Sequence, residues 1–240
     1  IESGSFQTQI KGFNPDDFPI IPSVENHLIE IENASFIEGL SQVAEITSPT
    51  FTRPEISGVY FSLQEDFLKL VATDSFRLAE KTLFTKKKIE KNTSFILPAR
   101  TAYELINSLG DKKEQLFIYS SPSQVMFELP MEEKPHPQLQ ITSRLIEGEY
   151  PSYQEIIPKK HETQFIVSRN DFLNQIKAAS LFSGKINEVQ LKINPERNKV
   201  EIFSQSAELG QSISSLSAKV QGKKLDISFN WRFLVSGLSR

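Results

Sequence analysis

Val71-Ala72-Thr73-Asp74-Ser75-Phe76-Arg77-Leu78-Ala79 reads as two strands joined by a tight turn. Leu68, Leu70 and Ala72 alternate along the first strand, and Phe76 and Leu78 open the second. Asp74-Ser75 makes the turn, because both side chains bond nearby backbone. Working backward, Gln64-Glu65-Asp66 turns an earlier strand, Val59-Phe61-Leu63. A helix over 35–48 precedes it, with Phe36, Leu40, Val43, Ala44 and Thr47 on one face and Ser35 as N-cap. Working forward, Lys86 to Lys88 reads as a solvated basic loop. The order then repeats. A strand over 93–97 leads to a helix over 98–109 with Pro98 at its start and a Gly110-Asp111 stop. Strands over 116–119, 125–129 and 139–144 follow.

The second half copies the first. A helix over 170–183 turns Phe172, Leu173, Ile176 and Ala179 inward, and Phe172 falls where Phe36 did. Strands over 189–193, 200–203 and 211–218 follow, and 225–229 leads into a helix at Asn230 as 95–97 led into Pro98. Phe18-Pro19 with Ile20-Ile21-Pro22 matches Tyr150-Pro151 with Ile156-Ile157-Pro158; each reads as an extended linker, because proline disfavours helix. The expected class is α+β: two similar domains, each a strand–helix–three-strand unit used twice, with one sheet face buried under helices. The second copy stops after its second helix, and the residues before Asp16 read as the tail of a further domain. The chain is therefore expected to be an internal fragment. The expected divisions are 1–22, 23–158 and 159–240.

The composition narrows the chemistry. The 240 residues suit about two domains. With no cysteine, disulfides and thiolate metal sites are excluded. His27, His136 and His161 show no metal-ligand spacing. No run of about 18 apolar residues predicts a membrane span. A net charge of −3 means that any nucleic-acid contact requires cations gathered on one surface. Asn33-Ala34-Ser35 and Asn92-Thr93-Ser94 match the glycosylation sequon, but no secretion signal precedes them, so they read as coincidental.

Four segments in order carry a family resemblance. Residues 71–79 resemble the most distinctive signature of the bacterial DNA sliding clamp, the beta subunit of the replicative polymerase. Ser143-Arg144-Leu145-Ile146-Glu147-Gly148-Glu149-Tyr150-Pro151-Ser152-Tyr153 with Ile156-Ile157-Pro158 resembles its second signature. Phe95-Ile96-Leu97-Pro98-Ala99-Arg100 and Phe229-Asn230 sit where that family begins its second helices. The resemblance covers the end of a first domain, a whole middle domain and part of a third. It implies a DNA clamp fold: a ring of six domains from two subunits, with sheets outside and helices lining a central hole. It also implies a cytoplasmic processivity factor with no cofactor and no catalysis. Its partners would be double-stranded DNA of any sequence, the polymerase III catalytic subunit, the clamp loader and other clamp-binding peptides. The full-length protein would be a homodimer, with no membrane association. A non-ring peptide-binding adaptor is the alternative, and a hydrolase the third reading.

The resemblance assigns a peptide groove to Ile56, Thr73, Ser75, Phe76, Arg77, Leu78, Pro151, Tyr153 and Ile156. By residue type alone Ile56, Leu78, Pro151 and Ile156 read equally as core, and Tyr153 as a groove edge or a linker anchor. Asp74-Ser75 could suggest a nucleophile, but no histidine lies nearby in sequence to act as base. The family commonly has Gly-His at Ser75-Phe76, and some members carry Arg at Glu155, so the peptides preferred here are expected to differ. Arg100, Lys112, Lys113, Lys177, Lys185 and Arg232 would face DNA, sharing that surface with Glu38, Glu45 and Glu104. Read singly, each is a solvated surface cation. Leu181 and Phe182 would lie beside the joint between subunits. Gly184-Lys185 lacks the full phosphate-loop pattern.

Overall fold

A computed structural model describes residues 1–18, 24, 26–50, 52–85, 88–89, 92–110, 112–131, 134 and 136–240, with His27 described by its backbone alone. The predicted linker over 19–22, most of the basic stretch at 86–88 and the Asp111 stop lie outside the described residues. The chain divides into two compact units, Ile1–Tyr150 and Pro151–Arg240.

The first unit opens with a small antiparallel hairpin of β1 (Glu2–Ser3) and β2 (Phe6–Gln7). Then come β3 (Asn26–Glu32), α1 (Asn33–Ala44), β4 (Gly58–Gln64), β5 (Phe67–Thr73) and β6 (Leu78–Phe84). The second repeat supplies β7 (Thr93–Pro98), α2 (Ala99–Leu109), β8 (Gln115–Ser120), β9 (Gln124–Leu129) and β10 (Leu139–Arg144). The two four-stranded antiparallel sheets run β6-β5-β4-β7 and β10-β9-β8-β3. Each repeat thus lends its first strand to the other repeat's sheet, which interlocks the halves. α1 and α2 bury one face on the shared core, where Phe36 meets Phe61 at 6.2 Å and Phe127 at 5.9 Å between ring centroids.

The second unit repeats the order: β11 (Thr163–Ile166), α3 (Arg169–Ser180), β12 (Glu188–Asn194), β13 (Lys199–Ser206), β14 (Gly210–Ser217), β15 (Lys219–Gly222), β16 (Leu225–Asn230) and α4 (Trp231–Leu238). Its sheets run β14-β13-β12-β16 and β11-β15. Phe172, Ile176, Leu191 and Ile202 form its core. One backbone bond marks the likeness between units. The first amide of α2 donates to Ser57 O at 3.3 Å, and that of α4 to Asn187 O at 2.9 Å, each carbonyl lying just before a meander's first strand.

Several boundaries differ from the sequence reading. α1 begins at Asn33 with Glu32 as cap residue, and Ser35 lies inside the helix, its hydroxyl donating to Glu32 Oε2 at 2.7 Å. Tertiary contacts set that start: the buried Asn33 amide donates to Gly110 O and Lys112 O at 3.3 and 3.0 Å. The same burial leaves no room for a glycan at the first sequon. α1 ends at Ala44, where the Thr47 hydroxyl and amide both turn back to Ala44 O. Pro98 is the cap of α2 and not its first residue. α3 starts at Arg169 with Ser168 capping it, and ends at Ser180. The third strand of the first meander starts at Leu78, not Phe76, because Asp74 draws residues 75–77 into the turn. The linker read over 150–158 is not wholly extended; it contains a short 3-10 turn, Tyr153–Glu155. The strand expected over 211–218 is β14, while β1, β2, β3, β11 and β15 had not been placed. Among the described residues no helix is long and apolar enough to cross a membrane, which says nothing of a β-barrel. Among them, too, no group of three or more acidic or histidine side chains could hold a metal ion.

Candidate functional site

The β5–β6 turn is a closed network of hydrogen bonds. The Thr73 hydroxyl donates to Arg77 O at 2.8 Å and accepts from Ser75 N at 3.1 Å. Asp74 Oδ1 accepts from the amides of Phe76 and Arg77, each at 3.0 Å, and Oδ2 pairs with Arg77 Nε at 3.0 Å. Ser75 consequently sits at φ 74°, a conformation that costs a non-glycine residue energy and persists because its surroundings fix it. Arg77 Nη2 also reaches Glu45 O at 3.5 Å, just past the end of α1. Helix C-termini leave carbonyls unsatisfied and favour cations, so this contact ties the turn to α1.

Around the turn the first unit offers both apolar and polar surface. Leu78 is half-buried at the start of β6, opposite Thr73. Phe76 is 83 % exposed. Ile56, at the end of a 3-10 turn over Pro54–Ile56, is only 2 % exposed, so it is core of its unit and not open surface. Arg53 was missed by sequence reasoning: its guanidinium reaches Ser75 Oγ at 3.4 Å and pairs with Glu55 at 3.0 Å. The Glu55 carboxyl titrates below the ordinary carboxylate range, first because its own backbone amide bonds it and second because Arg53 does. The pair is therefore intact at neutral pH and lost only as pH falls through that lowered value. Tyr150 was missed as well. It stacks on Tyr60 at 4.7 Å and 14°, and burial pushes its phenol far above the ordinary range while the Thr73 backbone pulls it back. Tyr150 stood inside the second signature, but nothing local in sequence joined it to Thr73.

The second unit carries the other expected groove residues. Pro151 is half-buried, Tyr153 is buried within the 3-10 turn, and Ile156 is 70 % exposed. The expected cations are spread over both units. Arg100 is exposed in the first turn of α2; Lys112 and Lys113 follow that helix, with Glu38 on α1 and Glu104 on α2 also exposed. Lys177 is exposed in the last turn of α3, and Lys185 in a following 3-10 turn. Arg232 lies against its own unit, 5.3 Å from the Trp231 ring and 3.4 Å from Asn187 Oδ1. Leu181 is 70 % exposed beyond α3, and Phe182 is half-buried.

The fold is that of a sliding clamp. The crystal structure of the Bacillus subtilis DNA polymerase sliding clamp superposes with a TM-score of 0.90 at 29 % identity, over 99 % of this chain and 62 % of that one. The chain belongs to the DNA polymerase III beta subunit family: residues 30–152 match its central domain and residues 154–240 its C-terminal domain. The curated beta sliding clamps of Bacillus subtilis (strain 168) and Staphylococcus aureus (strain Mu50 / ATCC 700699) are each 29 % identical over 99 % of the chain. The chain spans 62 % of the length of each of these relatives.

Proposed function

We propose that this chain is part of a DNA polymerase processivity factor. Two such subunits close a cytoplasmic ring that slides on duplex DNA and tethers the polymerase and other partners through a hydrophobic peptide groove at the β5–β6 turn. The observation that carries this is that both units contain the succession strand, helix, three-stranded meander, strand, helix, with β15 added in the second, and match consecutive clamp domains. The turn suits binding more than catalysis. Ser75 Oγ accepts from Arg53, while the ring nitrogens of His136 and His161 face Pro137 O and Gln164 Oε1. Threading holds a ring on DNA, so weak cation–phosphate contacts suffice and permit sliding. The full-length protein should have twice its subunit mass by light scattering at micromolar concentration. A monomer would contradict the ring and favour a free-standing peptide-binding adaptor.

Arg100 and Lys177 are two of the exposed helix cations that the resemblance assigns to the hole; Arg232, engaged with Trp231 and Asn187, is left in place. Replacing both by glutamate in the full-length protein should make the dependence of log K on log salt shallower by about one unit per lost phosphate contact. Each exposed charge contributes only about 0–1 kcal/mol to stability, so melting should barely move. An unchanged salt slope would show that these two side chains do not meet DNA.

A further inference from the structure

Asn33, the first residue of α1, is fully buried, which is uncommon for an amide side chain. Its Nδ2 donates to Gly110 O at 3.3 Å and to Lys112 O at 3.0 Å, 77 and 79 positions away, and its backbone amide donates to Glu114 O at 3.1 Å. One residue thus holds three carbonyls at and beyond the end of α2. The amides that open α2 and α4 reach a single carbonyl each, Ser57 O and Asn187 O. The arrangement at Asn33 has a local cost, because its Oδ1 is buried without a hydrogen-bond partner among the described residues. Buried polar atoms are nearly always satisfied, so this one asks for a reason. Helix capping does not supply it. A capping side chain turns its oxygen to the first-turn amides, as Ser168 does for α3 and Asn230 for α4. Asn33 instead aims its donor at the backbone that carries Lys112 and Lys113. Lys112 is half-buried and Lys113 exposed, and among the described residues neither ammonium is paired with a carboxylate.

We propose that Asn33 is a positioning residue for DNA contact, holding the backbone at Lys112 and Lys113 so that both ammonium groups meet phosphates of the threaded duplex. The proposal rests on the reading that these two lysines face the hole. A long cationic side chain on loose backbone must be ordered when it binds, and that ordering subtracts from affinity. Backbone fixed in advance by a buried amide avoids part of the loss. Where each phosphate contact is weak, as sliding requires, such a saving is a sizeable share of the contact.

The test is a double-mutant cycle in the full-length protein, read as low-salt affinity for linear duplex DNA. Lys112→Ala with Lys113→Ala removes the ammonium groups. Asn33→Leu keeps the approximate volume and removes both side-chain bonds. In the parent, Asn33→Leu should weaken binding about threefold to tenfold, the cost of ordering one or two long side chains. Where both lysines are already alanine, it should change binding by less than about twofold. Melting should fall in both backgrounds because buried bonds are lost, so the coupling between the sites is the deciding readout. Should Asn33→Leu fail to fold, Asn33→Ser, too short to reach both carbonyls, should show the same coupling. Equal losses in both backgrounds, or no loss in the parent, would overturn the Asn33 assignment. If the double alanine variant binds DNA like the parent, the two lysines do not face DNA and the inference falls with that reading, while retention of the ring on closed circular DNA would leave the clamp standing.

Discussion

Leu78→Ala should weaken binding of a polymerase-tail peptide to the full-length protein at least tenfold. Leu78 opens β6 beside a turn that is hydrogen-bonded on every side, and it is only half-buried. Surface remains for a partner's Leu, Phe or Met to cover. In small recognition sites a few buried apolar anchors carry most of the energy, about 2 kcal/mol or more each, and 1.4 kcal/mol is one decade of affinity. Thr73 and Arg77 act differently. Their side chains are engaged within the first unit, with Arg77 O and Ser75 N for the one and with Asp74 and Glu45 O for the other. In this conformation they shape the lip that presents Leu78 and Phe76. Leu78 is half-buried in its own unit, so melting must be followed beside titration calorimetry. A folded Leu78→Ala protein with parental peptide affinity would remove this site from the groove.

What the sequence made legible was local. Asp74 marks the turn because a short polar side chain bonds its own neighbours, and its carboxylate does so here; the other local bond comes from Thr73, while the Ser75 hydroxyl meets Arg53 instead. The Phe36 and Phe172 periodicities mark α1 and α3, and both rings are buried. Long-range events were not legible. The exchange of β3 and β7 between sheets depends on pairings such as Ile31 with Leu116, which no spacing announces. Phe76 looked like a strand residue by type, but Asp74 captures its amide and turns it outward. Arg53 and Ser75 are separated by 22 positions, and only the fold joins them. The groove residues came from family resemblance, and the helix cations from that resemblance joined to surface chemistry. The Tyr60–Tyr150 stack joins residues 90 positions apart and, like the lock on the turn, is a product of the fold.

The ring itself is tested most directly by topology. Full-length protein is loaded onto closed circular duplex DNA, the salt is raised, and half of the sample is cut once to give the linear form. High salt strips contacts that rest on phosphate neutralisation but leaves a threaded ring in place. Retention on the intact circle, with loss from the cut molecule, is the expected result. Equal retention on both forms, or equal loss from both, would contradict a ring that encircles DNA.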